Sequence, residues 1–119
     1  MKKIPVSVIG ATGMVGQKYI ELLSYHPWFE IVDIGASPNS SGKKYKEAVK
    51  RTWSMESEIP NDIKKLVLRD ANDLNNIPKN VRCIFSAIEL DNKIDTKNLE
   101  FEYAAKGYAV ISNSSANRM

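Results

Sequence analysis

The chain predicts an α/β fold, a mostly parallel sheet with helices on both faces, and three observations carry that expectation. Short, largely apolar runs rich in β-branched residues recur at Ile4–Ile9, 30–36, 81–88 and 108–111, as in strands buried on both faces. Stretches with helical spacing lie between the first two and the last two runs, the alternation that crossover connections of a parallel sheet require. Clusters of Gly, Pro, Asn and Ser mark the junctions. A length of 119 residues, 43% of them apolar and 26% charged, fits one globular domain over 1–119 and excludes disordered and fibrous classes.

Ile4–Ile9 ends at glycine, as a buried first strand does. Over 14–26, Val15, Tyr19, Leu22 and Leu23 share one face and Gln17, Lys18 and Glu21 another, the period of a helix, and Pro27 disfavours helix at His26. Residues 30–36 read as the second strand, and Ser37-Pro38-Asn39-Ser40-Ser41-Gly42 after them is loop chemistry. The middle has a weaker pattern: a helix or irregular excursion over 43–58, a short strand over 66–68, and a loop or poorly formed helix over 70–80. Residues 81–88 return as a strand, Asp95 or Thr96 can cap a helix that runs to Lys106, Gly107 supplies its stop, and 108–111 form the last strand.

Several function classes drop out. A single cysteine, Cys83, builds neither a disulfide framework nor a cysteine-rich metal site, so no metal is expected and a reducing, cytoplasmic setting is. The apolar run in the opening MKKIPVSVIGATG is broken by Pro5 and Ser7, so it reads as a strand and not a signal peptide, and no run approaches the roughly 20 apolar residues of a membrane span. The glycosylation-type triplets at Asn39 and Asn113 are then chance matches. A net charge of +3 indicates a solvated surface. The basic stretch with Lys43, Lys44, Lys46, Lys50 and Arg51 is accompanied only by Tyr45 and Trp53 and is interrupted by Glu47, so no nucleic-acid partner is expected.

Between the first strand and helix stands Gly10-Ala11-Thr12-Gly13-Met14-Val15-Gly16, and each glycine has its own mechanical reason. Gly10 serves a tight turn, Gly13 lets a pyrophosphate approach the backbone, and Gly16 lets the helix pack closely on the strand. Amides at the helix start then face the anion, with the helix dipole behind them. This is the context of a Rossmann-like dinucleotide site; the alternative is a glycine turn that serves packing alone. The identity of the dinucleotide turns on the tip of the second strand. Asp33, the candidate acid for a ribose 2′-hydroxyl, is followed by Ile34-Gly35-Ala36 and so lies within the strand. The tip is Ser37, with Ser40, Lys43 and Lys44 behind it, hydroxyls and cations suited to a 2′-phosphate, which favours NADP over NAD.

With GATGMVG, ASPNSSGKKYKEAV, FSAI and ISNSSANRM present in this order, the chain resembles the N-terminal, NADP-binding part of aspartate-semialdehyde dehydrogenases of the archaeal and fungal type. The Ser-Pro-x-x-x-Gly-Lys-Lys-Tyr loop and the Ser-Asn-x-Ser-x-x-Arg-Met block make the resemblance specific, and it extends across nearly the whole chain. Malonyl-CoA reductase is similar over the same blocks; Met119 and Ser114-Ser115 lean toward the semialdehyde enzyme.

The resemblance implies NADPH-dependent reduction of β-aspartyl phosphate, an acyl phosphate, on the route to lysine, threonine and methionine. It also implies that Thr12, Gly13, Met14 and Val15 hold the pyrophosphate and that Ser37, Ser40 and Lys43 surround the 2′-phosphate, with Asn39 standing where many members have arginine. Ser86, Ala87 and Ile88 then lie at a strand end beside the cofactor, Asn113 and Ser114 near the nicotinamide, and Arg118 toward the substrate phosphate. The nucleophilic cysteine, the acid–base histidine and the surfaces that make a homo-oligomer are implied to lie in a catalytic domain absent from this chain.

No catalytic residue is therefore expected here. Cys83 has apolar strand neighbours that predict burial and an inert thiol, and His26, the single histidine, sits at a helix end where a structural role is expected. None of the five tyrosines has lysine four residues on, which removes a short-chain dehydrogenase reading. A stand-alone NADP-binding regulatory module stays open as a different class, although it gives no reason for the 112–119 block.

Overall fold

A computed structural model of the chain describes residues 3–37, 40–56, 58–87 and 93–112, with the backbone alone at 93–96 and 112. The elements run β1 (Ile4–Ile9), α1 (Met14–Ser24), β2 (Phe29–Ala36), α2 (Tyr45–Ala48), α3 (Asn61–Lys64), β3 (Arg69–Asp70), a 3-10 turn (Leu74–Asn76), β4 (Cys83–Ser86), α4 (Lys93–Ala105) and β5 (Ala109–Ser112). The strands form one sheet in the order β3-β2-β1-β4-β5, and every neighbouring pair is parallel.

Alternation along the strands divides the core in two. Val6, Val8, Cys83 and Phe85 face a cluster with Ile20 and Leu23 of α1, Tyr45 and Val49 around α2, and Ile63 of α3. Ile9 and Ile84 point the other way, to Leu99 and Tyr103 of α4 and to Ala71, Ile77 and Val81. Helices therefore cover both faces, as expected. The pairing of β1 with β2 slips once: Val6 is opposite Ile31, but Ser7 is opposite Asp33. Val32 is the extra residue of a bulge, which resets the phase so that Asp33 joins Ser7 on the α4 face.

Several expectations need correction. Of the helix or irregular excursion expected over 43–58, the helix is present as the single turn α2, but α3 follows Pro60 where no element was expected. The strand expected at 66–68 is displaced to Arg69–Asp70, because Val67 bridges back antiparallel to Lys44 and the Leu68 amide donates to the Lys43 carbonyl at 2.8 Å. Helix α4 starts at Lys93, which places Asp95 and Thr96 inside it and not at its cap. Strand β4 spans only Cys83–Ser86, since Val81 turns back on Pro78, and Ile88 lies outside the described residues.

The buried face of α1 is also rotated from the one the spacing suggested: Gly16, Gln17, Ile20 and Leu23 are buried, while Val15 and Leu22 are 40% and 57% exposed. The cause is Gly16, where a Cβ would lie 2.0 Å from the Gly10 carbonyl oxygen, so the helix meets β1 with its glycine side and its rotation follows. Among the described residues, no helix is long and apolar enough to cross a membrane.

Candidate functional site

The strand order places a switch point at β1: the chain leaves β1 toward β2 and β3, then returns to lay β4 on the other side. In open sheets of this kind the crevice at the carboxyl ends of the strands is where ligands bind. Ile9 is paired with Gly35 on one side and Ser86 on the other, and Ser86 with Ser112, so the ends of β2, β1, β4 and β5 lie along a common edge.

The glycine turn stands on that edge. Gly10 turns the chain with φ +74°, a left-handed conformation that glycine adopts without strain, and the Gly10 and Ala11 amides both donate to the Gly35 carbonyl, at 2.9 and 3.1 Å. Gly13 is the N-cap of α1, with no side-chain cap and no acidic residue in the first turn. The first amide to find an intrahelical acceptor is that of Gln17, 2.8 Å from the Gly13 carbonyl oxygen. The amides of Met14, Val15 and Gly16 precede it and have no acceptor within the helix, and residues 13–15 are exposed. The positive end of α1 thus opens to solvent, an arrangement suited to an anion. A Cβ on Gly13 would meet nothing nearer than the Gly10 carbonyl oxygen at 3.9 Å. The fold itself does not require glycine there, and the bare backbone leaves room for a ligand's diphosphate.

Behind the turn lie two side chains whose role the sequence did not disclose. The hydroxyl of Tyr45, fully buried, donates to the Ala11 carbonyl at 2.7 Å. Gln17, 1% exposed, donates from Nε2 to the carbonyls of Thr12 at 3.0 Å and Thr52 at 3.2 Å, and its Oε1 accepts from the Ser54 amide at 3.1 Å. Burial pushes the Tyr45 hydroxyl well above its ordinary pKa, so it stays a donor at neutral pH.

Ser37, Ser40 and Lys43 follow the end of β2, where the Ser40 and Ser41 amides donate to the Ser37 carbonyl at 3.0 and 3.1 Å and the Lys43 amide makes a longer contact, 3.4 Å, with the Ser40 carbonyl. Ser37 and Lys43 are exposed and Ser40 is half-buried. Ser86 ends β4 with its side chain fully buried on the α4 face, where the hydroxyl donates to Glu100. The Ala87 amide donates to the Ile9 carbonyl at 2.9 Å. The Ser86 hydroxyl and the Ala87 amide are thus already engaged, the one on α4 and the other within the sheet. Asn39, Asn113, Ser114 and Arg118 lie outside the described residues.

Asp33 sits inside β2, as its position in the run suggested, and is taken up by a buried network. Ser7 donates to its Oδ2 at 2.6 Å and Arg69 forks onto both oxygens. Arg69 in turn donates to the carbonyl of Asp73 at 2.8 Å and to the Tyr103 hydroxyl at 2.9 Å. Burial works against the Arg69 charge, yet the hydrogen bonds and charge of Asp33 outweigh it and leave the guanidinium pKa above its ordinary value. Cys83 and His26 are at the opposite ends of their strands from the glycine turn. Cys83 opens β4, 8% exposed, and burial pushes its thiol pKa up. His26 precedes β2, where Nδ1 accepts from the Trp28 amide at 3.0 Å and the ring packs on Trp28 and Phe29. Among the described residues no group of His, Cys, Asp and Glu could hold a metal ion.

Residues 5–119 match the family described as semialdehyde dehydrogenase, NAD binding domain. The chain is 40% identical over 114 residues to the aspartate-semialdehyde dehydrogenase of Archaeoglobus fulgidus, covering 96% of this chain and 31% of the relative. Against the Candida albicans enzyme of the same name it is 38% identical over 109 residues, covering 90% of this chain and 28% of the relative. The crystal structure of aspartate-semialdehyde dehydrogenase with NADP from Candida albicans superposes with a TM-score of 0.83 at 34% identity, over 96% of this chain and 30% of that one. The chain spans about a third of the length of the curated relatives it matches.

Proposed function

Because the chain belongs to the family of semialdehyde dehydrogenase NAD-binding domains, we propose that it forms the NADP-binding portion of an aspartate-semialdehyde dehydrogenase. The observation that carries this reading is the solvent-open first turn of α1, with Gly13 bare beside it, at the switch point of a parallel sheet. In this reading the amides of residues 12–15 bind the diphosphate, and Ser37, Ser40 and Lys43 gather round the 2′-phosphate. Ser86 and Ala87 at the end of β4, with Asn113 and Ser114, flank the nicotinamide, and Arg118 reaches the phosphate of an acyl-phosphate substrate.

Bound NADPH would supply the hydride. What this chain's own residues do is hold the nucleotide and keep its charged groups on amides, hydroxyls and a lysine. The thiolate that attacks the acyl phosphate is not Cys83, which is buried at the far edge of the sheet, so catalysis belongs to a separate catalytic domain. Cytoplasmic location and homo-oligomerisation of the complete enzyme go with the same reading.

Calorimetric titration with NADP+ and NAD+ tests it. NADP+ is expected to bind the more tightly, and Lys43→Ala to weaken NADP+ by roughly tenfold, about 1.4 kcal/mol, while leaving NAD+ nearly unchanged. Equal binding of the two nucleotides, or an equal loss for both in the variant, would contradict the assignment of the 2′-phosphate contact.

A further inference from the structure

We infer that Gln17 and Tyr45 are positioning residues that fix the Ala11–Thr12 and Thr12–Gly13 peptide planes of the glycine turn, with the Thr12 N–H turned outward, an inference that rests on the diphosphate reading of that turn. The reason lies in peptide geometry. A trans peptide points its C=O and its N–H in opposite directions. The carbonyl of Ala11 shares a peptide plane with the Thr12 amide, so when Tyr45 draws that carbonyl inward at 2.7 Å, the Thr12 N–H is turned out. The carbonyl of Thr12 shares a plane with the Gly13 amide, and Gln17 holds it at 3.0 Å. The Gly13 N–H then has only a long 3.4 Å contact with the Gly10 carbonyl, beyond the usual range for such a bond.

The turn needs this restraint because of its composition. Gly13 lets a ligand come close, but its freedom of φ also makes rotation of the Thr12–Gly13 peptide plane cheap. A flipped plane would present a carbonyl oxygen to an anion in place of an N–H. Tyr45 and Gln17 are 0% and 1% exposed and approach from the protein side, so they act on the ligand only through the turn. Gln17 also binds the Thr52 carbonyl and the Ser54 amide, which ties the turn to the segment after α2.

The test compares two ligands in wild type, Tyr45→Phe and Gln17→Met, with thermal melts alongside. NADP+ carries the diphosphate; adenosine 2′-monophosphate has the 2′-phosphate without it. Each variant is expected to bind NADP+ roughly tenfold more weakly, as loss of a well-aimed charge-assisted contact implies, and adenosine 2′-monophosphate within about twofold of wild type, since that ligand makes no use of the turn. Unchanged NADP+ affinity, or a parallel loss for both ligands as general loosening would give, overturns the inference. If Gln17→Met does not fold, Tyr45→Phe decides alone, since it removes one oxygen and leaves the ring packing in place. Wild-type protein that binds adenosine 2′-monophosphate but not NADP+ would remove the diphosphate reading and this inference together, a failure distinct from that of the variants.

Discussion

The Arg69 guanidinium grips the Asp33 carboxylate, with Nη2 2.8 Å from Oδ2 and Nε 3.1 and 3.3 Å from the two oxygens, and their side chains are only 7% and 9% exposed. The acid that could have selected for a ribose hydroxyl is thus committed to the interior. Removing one partner of a buried pair strands the other charge, so Asp33→Asn is expected to lower stability by about 3–5 kcal/mol in urea unfolding. The ratio of NADP+ to NAD+ affinity in the folded fraction is expected to stay at the wild-type value. A shift of that ratio toward NAD+ or NADP+ would place Asp33 at the ligand after all.

Stability is expected to fall in alkali because of two buried tyrosines. Burial pushes the hydroxyls of Tyr45 and Tyr103 above their ordinary 10.0, in Tyr103 against the pull of nearby Arg69. Above about pH 10 the unfolded chain has lost these protons while the native protein keeps them. The native state then binds more protons, and the stability of the fold declines as pH rises, by at most about 1.4 kcal/mol per unit for each tyrosine that still keeps its native proton. Urea midpoints measured from pH 8 to 11 check this, and Tyr45→Phe should make the alkaline decline shallower. A flat profile would mean that these hydroxyls ionise as freely in the fold as outside it.

Two glycines six and three residues past Gly10 should respond oppositely to alanine. At Gly16 the added carbon would sit 2.0 Å from a backbone oxygen, and the expected loss of stability is about 3 kcal/mol or more, since a backbone atom cannot move aside cheaply. At Gly13 nothing lies within ordinary contact but the Gly10 oxygen at 3.9 Å, and the backbone has φ −79° and ψ 175°, open to any residue. Gly13→Ala should therefore cost less than about 1 kcal/mol in stability while weakening NADP+ binding roughly tenfold through the blocked approach. Calorimetry and thermal melts on the two variants separate the roles.

Cys83 is expected to be chemically silent in the folded protein. Its thiol is 8% exposed and its pKa is raised by burial, a shift only partly offset by the Ile84 backbone amide, and the thiolate is the reactive form. A thiol-exchange reagent at pH 8 should label it no faster than the protein opens, with the rate rising in urea. Rapid labelling of the native state would reopen a chemical role for it.

What the sequence disclosed was local. The strand, glycine turn and helix over residues 4–24 were legible because spacing and three glycines agree within a few residues of one another. Asp33 could be placed within its strand because Ile34-Gly35-Ala36 continue it, but its partner Arg69 is 36 residues on and lies in a segment with no clear period. Gln17 read as a surface residue because a polar side chain on a helix usually faces water. The clue to its burial was Gly16: a helix that must press its glycine against β1 also turns residues 17, 20 and 23 inward. Tyr45 looked like an aromatic beside a basic loop, since nothing in its neighbourhood announced a contact with Ala11, 34 residues earlier. The displacement of β3 was hidden for the same reason, as it follows from the bridge between Lys44 and Val67.

An amide-resolved titration of the protein with NADP+ by nitrogen-15 NMR puts the site to the most direct test. The largest shifts are expected at the amides of Thr12, Gly13, Met14 and Val15, the groups at the open first turn of α1. Saturable binding that leaves those four amides unmoved, with the shifts gathered elsewhere on the sheet, would show that the mouth of this helix does not hold the diphosphate.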